Sequence, residues 1–305
     1  MGIRTSLINR FLEPEGKEHL ETTSIEEGSR IIYDQLIQDT PCMIARACKV
    51  ELDAVIRYLS IKERSKYGLS FFWNFIGWNN KAKTLLSNNA GFFSNSVPNI
   101  ERFCQLMIDC MSKVDVLGCS VKGENLLLNN FRQVKLIPLQ STEPFFISPS
   151  WNKALTGKKV LVIHPYSKSI STQYKKREFL FKDPNVLPEF ELKTIKAVQS
   201  IAGEKVNFKD WFEALEHMKK QISETDFDIA IIGAGAYGFP LAAHVKDIGK
   251  KSVHMGGATQ FMFGIKGKRW DDRADYNIFY NEHWIRPNEN ETPKNADQVE
   301  GGCYW

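Results

Sequence analysis

The sequence predicts an α/β protein whose sheet is mainly parallel and flanked by helices on both faces. Three observations carry this. Short apolar runs rich in Val and Ile alternate with segments of helical period. Several of those runs end in Gly, His or Arg followed by a polar loop. One run, "DIAIIGAGAYGFPLAAHV", passes through Gly233, Gly235 and Gly238 in G-x-G-x-x-G spacing before a helix-like stretch. The 305 residues, 43% apolar and 25% charged, suffice for a full core.

The elements follow in order. "TSIEEGSRIIYDQLIQ" is a helix, with Ser24 and Glu27 spaced as a capping box and Ile25, Ile32 and Leu36 near helical period. It forms an N-terminal helical segment within residues 1–40. "PCMIAR" is a buried strand ending at Arg46. "VELDAVIRYL" is a helix, with Leu52, Val55, Ile56 and Leu59 at i, i+3, i+4 and i+7. The aromatic and Asn-rich stretch from Tyr67 to Asn95, with Trp73 and Trp78, has no clean period and reads as a covering or substrate-facing element.

"PNIERFCQLMIDCM" is a helix opened by Pro98. "VDVLGCS" and "VKLIPL" are strands. "GKKVLVIHPYSKSI" is a strand running into a polar loop at His164 that carries Ser167, Lys168 and Ser169. "NFKDWFEALEHMKKQI" is a helix with Trp211, Leu215, Met218 and Ile222 on one side. "DFDIAIIGAGAYG" is a strand and loop, and "KKSVHMGGATQFMFG" a strand, loop and helix. The α/β domain spans residues 41–275. Residues 276–305 are a polar strap or tail that ends in "GGCYW".

Composition narrows the partners. A net charge of +4, from 40 basic and 36 acidic residues, gives no case for nucleic acid. It suits an anionic small ligand or peripheral contact with an anionic membrane surface equally. The six cysteines have no C-x-x-C spacing and read as reduced thiols of a cytoplasmic protein. The N-terminus lacks a signal-peptide h-region, although Gly2 and Ser6 fit the short myristoylation pattern. No apolar stretch reads as a membrane span.

In parallel sheets ligands sit beyond the carboxyl ends of the strands. Those ends carry Arg46, His164, Gly233, Gly235, His254, Gly256 and Gly257. A strand, a glycine turn and a helix N-terminus make a Rossmann-related phosphate cradle. A dinucleotide site also needs an acidic residue about 20 residues on, for the ribose hydroxyls. His254 and Met255 stand there instead, and the motif comes late in the chain. A phosphate or diphosphate ligand without that ribose clamp fits better than NAD. The "HPYSKS" loop, the "GGATQ" loop with Gln260, and "GIKGKRWDD" with Lys266, Lys268 and Arg269 are further anion-friendly loops.

"ARACKVELDAVIRYL", "NNAGFF", "GKKVLVIHPYSKSISTQY", "LPEFELKTIKAVQSIAG", the glycine-loop region through "GIKGKRWD" and "EGGCYW" together resemble bacterial glycosyltransferase-like proteins of the GT-D fold type, found with surface-polysaccharide genes. The resemblance spans Pro41 to Trp305. It implies a GT-D-like fold, a nucleotide-sugar donor, typically a UDP-sugar, and transfer to a hydroxyl of a glycan or glycolipid acceptor. It also implies an R-F-G-D-G-E element whose D-x-E serves a divalent metal, Mn or Mg. Here Arg46, Ala47, Cys48, Lys49, Val50 and Glu51 fill that element. A lysine ammonium cannot ligate a divalent cation. Either Lys49 itself offsets the diphosphate charge, or a metal uses Asp271, Asp272 or Asp275, or activity is lost.

On this reading Glu51 is the general base on the acceptor hydroxyl, with Arg46 and Lys49 as its catalytic companions. The diphosphate lies on Gly233, Gly235, Tyr237, Gly238, His164, Ser167, Lys168, Gly256, Gly257, Gln260, Lys268 and Arg269. Asn88, Asn89 and Glu124 are candidates for acceptor or sugar contacts. Two rivals are a nucleotide-sugar-binding protein without turnover and an NAD-dependent oxidoreductase.

Overall fold

A computed structural model describes residues 20, 22–62, 78–121 and 123–305. The myristoylation-type pattern at Gly2 and Ser6 lies outside the described residues, as does the aromatic stretch up to residue 77.

The chain runs α1 (Ile25–Ile37), β1 (Cys42–Arg46), α2 (Lys49–Lys62), α3 (Asn80–Asn88), α4 (Val97–Met111), β2 (Val116–Cys119) and β3 (Lys135–Pro138). Three short 3₁₀ turns lead to β4 (Lys159–His164), α5 (Ser167–Tyr174) and β5 (Glu191–Lys196). Then come α6 (Trp211–Ser223), β6 (Ile229–Ile232), α7 (Gly238–Asp247), β7 (Lys251–His254), α8 (Ala258–Met262), α9 (Lys268–Asp271) and α10 (Ala274–Asn277).

The seven strands form one parallel sheet in the order β3-β2-β1-β7-β6-β4-β5. The fold is therefore α/β and Rossmann-like, with helices on both faces. The central strands β1, β4, β6 and β7 are buried nearly end to end, as a sheet covered on both faces requires. One core packs α2, α4, α6 and α7 against one face. The second packs α1, the turns before β4, α5, α8 and the segment beyond residue 276 against the other. Connections moving toward β3 cross the first face and those moving toward β5 cross the second, as one handedness of parallel crossover demands.

Several segments differ from the sequence expectation, among them the aperiodic stretch that holds α3 and the "GIKGKRWDD" loop that holds α9. β5 is an additional strand. Its "ELKTIK" alternates charge and apolar residues because it is the edge strand, where exposed lysines blunt unwanted pairing. Ser167, Lys168 and Ser169 open helix α5 rather than forming a loop. Within the aromatic stretch, Asn79 caps α3 by accepting the Ala82 N–H. The Ser24 cap on α1 is present, its hydroxyl accepting the Glu27 N–H.

Residues 276–305 fold back over the second core. Trp284 is buried, and its indole N–H donates to the Leu180 carbonyl at 2.8 Å. No helix among the described residues is long and apolar enough to cross a membrane.

Candidate functional site

The carboxyl ends of β1, β4, β6 and β7 converge on a cavity of about 270 Å³. Arg46, His164, Gly233 and Gly256 bring those four ends to its wall, and Asn89 to Gly91 and Gln199 to Ile201 close its sides. Helix α2 starts there, so Lys49, Val50 and Glu51 of its first turn also line it. Glu300 and Tyr304 come from the returning strap.

The motif glycines have three separate physical reasons. A Cβ at Gly233 would stand 2.5 Å from the Gly256 carbonyl oxygen and 2.7 Å from the His164 ring, so β6 and β7 close up only without one. Gly235 has φ of +51°, the left-handed region that favours glycine. A Cβ at Gly238 would overlap the buried His254 ring, 2.6 Å from Cδ2. Gly238 therefore seats α7 on β7 and does not line the cavity. Two of the three glycines are thus demanded by packing alone. Tyr237 lines the cavity but stacks flat on Trp211, centroids 4.7 Å apart, and serves as wall.

The charged groups are arranged unequally. Glu51 is 6% exposed, and burial pushes its carboxyl up to about 7, against the pull of Arg46. The Glu300 charge adds to the rise. Arg46 has a buried Nε with no hydrogen-bond partner and forms no ion pair among the described residues. Its charge is felt by Glu51, Glu124 and Glu143. Arg269 lies over the Tyr304 ring at 4.6 Å, and its Nη2 reaches Glu300 Oε2 at 3.3 Å. Lys49 lines the cavity, yet its ammonium is held by Asp53 at 2.6 Å.

The two strand-end histidines are neutral. Burial pushes both down to about 3, and Arg46 reinforces this at His254. His164 Nδ1 accepts the Tyr166 N–H at 3.0 Å, so the ring proton sits on Nε2. His254 lies behind the glycine loop, with neither ring nitrogen in a hydrogen bond of normal geometry.

Several expected contacts go elsewhere. The N-terminus of α5 is filled from within the chain: Glu291 accepts the Lys168 N–H at 2.8 Å, the Ser169 N–H and the Ser169 hydroxyl. Ser167 and Lys168 therefore do not meet the cavity. Lys268 donates to the Gly301 carbonyl at 3.1 Å, outside the cavity wall. Gln260 lines the cavity, but its amide is spent on the carbonyls of Lys266 and Tyr304 and so anchors the strap. Gly257 gives room to Tyr304 and Arg269.

Asn89 lines the cavity, whereas Asn88 ends α3 outside it. Glu124 turns its carboxylate onto the Ser120 and Val121 N–H groups, each at 3.1 Å, and shapes the loop that carries Val121 to the wall. Burial pushes this carboxyl also up to about 7, and its Oε1 is unpartnered.

The residues do not fit a divalent metal. Asp271 is gripped by Arg286 at 2.6 Å and by the Tyr280 hydroxyl. Asp272 is exposed, and Asp275 pairs with Arg273 at 2.6 Å. Among the described residues no three His, Cys, Asp or Glu side chains cluster as a metal site. Glu300, Tyr304, Tyr166 and residues 199–201 also line the cavity, although no motif in the sequence marks them. The first two stand in "EGGCYW", where an acid and an aromatic flank two glycines. No family model, curated protein or solved structure matches the chain.

Proposed function

We propose that the cavity binds the diphosphate of a nucleotide sugar, with UDP-sugars as the first candidates, and that the chain transfers the sugar to a hydroxyl of a glycan acceptor. The observation that carries this reading is one cavity holding both a buried carboxyl raised to about 7 and the guanidinium of Arg46, which has no partner among the described residues. A base with that affinity for protons is matched to work near neutral pH. An arginine without a partner among the described residues suits a bidentate phosphate.

In the reaction the acceptor oxygen bonds to the anomeric carbon while the bond to the diphosphate oxygen breaks. The acceptor proton passes to Glu51. Arg46 and Arg269 offset the negative charge that grows on the leaving diphosphate. No metal is assigned a step. Such chemistry belongs with surface-glycan synthesis, in the cytoplasm where nucleotide sugars are made.

The test is a thermal-shift series with UDP, several UDP-sugars and NAD, on wild type and Glu51→Gln. UDP or a UDP-sugar raises the melting temperature of both, and sugar transfer is lost only in the variant. A larger shift with NAD, or none with any nucleotide, refutes the reading. UDP binding with no transfer or donor hydrolysis by wild type leaves a binding protein without turnover.

A further inference from the structure

A second cavity, of about 470 Å³, opens where β5 ends. Its volume falls within the ~300–1,000 Å³ of small-ligand pockets. The loop at 204–208 forms one wall and the strap at 290–293 the other. Val198 and Gln199 line both this cavity and the first, so the two are neighbours across a single stretch of backbone.

The lining has a definite chemistry. Gln199, Asn207 and Asn290 contribute three carboxamides, and among the described residues none of the three has a hydrogen-bond partner. A carboxamide offers a donor and an acceptor side by side, which matches neighbouring hydroxyls that both give and take a hydrogen bond. Phe208 is half-buried against the His217 ring, 5.2 Å between centroids, and supplies the apolar surface. Lys196, Glu204 and Glu291 place one cation and two carboxylates on the wall, the Glu291 carboxylate being already held by the α5 amides, so the cavity offers no cluster of cations for a polyanion.

We propose that this second cavity is a carbohydrate subsite, which seats the acceptor so that one hydroxyl crosses Gln199 into the first cavity. The acceptor role rests on the nucleotide-sugar reading of that first cavity. Carbohydrate binding does not, and it can be measured alone.

The experiment is saturation-transfer NMR with four probes: the methyl glycosides of glucose, galactose, rhamnose and N-acetylglucosamine. It compares wild type with Asn207→Ala/Asn290→Ala, both exposed positions where truncation leaves the fold intact. At least one glycoside receives saturation from wild type, and the signal drops at least fivefold in the double variant. The UDP thermal shift stays the same in both. The proposal is overturned if no glycoside receives saturation, if the variant matches wild type, or if the variant also loses its UDP shift. Glycoside binding that depends on the two asparagines, with no UDP shift in wild type, upholds the subsite and removes the nucleotide-sugar reading.

Discussion

Replacing Glu51 with Gln stabilises the protein above neutral pH while removing the proposed base. The carboxyl is carried by burial from an ordinary 4.5 to about 7. Between those values the folded chain keeps a proton on Glu51 that the unfolded chain has released. Stability therefore falls as pH rises through this window and levels off above pH 7. The full cost is about 3 kcal/mol. The carboxamide in the Glu51→Gln variant carries no such proton, so the stability difference between variant and wild type grows from pH 4.5 to pH 8 by about that amount. Glu124 and Glu143 are raised in the same direction, but they are present in both proteins and cancel in the difference. Urea unfolding at five pH values measures it, since the midpoint shifts while the slope stays constant. A difference that changes by less than about 1 kcal/mol over this range refutes the reasoning, because Glu51 then titrates as an ordinary exposed carboxyl.

Three further outcomes follow from the geometry. Gly238→Ala drives a methyl into the His254 ring and lowers stability by about 2 kcal/mol in urea unfolding, the scale of an overpacked core. Glu291→Ala strips the carboxylate from the start of α5 and frees the strap. The loss of its hydrogen bonds costs about 3 kcal/mol, read by calorimetry as a melting temperature lower by roughly 6 °C. Glu300→Ala releases Arg269 from a half-exposed ion pair, so the proposed UDP binding, read by titration calorimetry, tightens up to about fivefold. The bound is the ~1 kcal/mol such a pair is worth.

The sheet was legible because buried parallel strands leave continuous apolar runs, and "VLVIH", "IAII" and "CMIAR" are such runs. β5 was not, since an edge strand mixes Lys and Glu into its pattern. The floor of the cavity was also legible. Arg46, His164, Gly233 and Gly256 stand at strand ends, and strand ends in a parallel sheet point to one side. The reasons for the glycines were less so. Spacing alone cannot separate a glycine that admits a phosphate from one that admits a histidine ring, and Gly238 does the second. Local sequence also hid which backbone and side-chain donors are answered from within the chain. Lys168 and Lys268 read as free cations in anion-friendly loops. The strap answers the α5 amides with Glu291 and the Lys268 ammonium with a backbone carbonyl, from more than a hundred and about thirty residues away.

The join between β1 and β7 has a consequence for how the protein comes into being. Cys42 pairs with Lys251, about two hundred residues further along the chain. β1 carries β2 and β3 on one side, and β7 carries β6, β4 and β5 on the other. Arg46 and Gly256 stand on the two sides of that seam, and the first cavity straddles it. During synthesis the β1 edge waits, unpaired and apolar, until β7 has left the ribosome. Closing the seam is the step that creates the cavity, so neither half of the sheet made separately would contain it. Separately expressed halves that restore binding when mixed would have to re-form this one ladder.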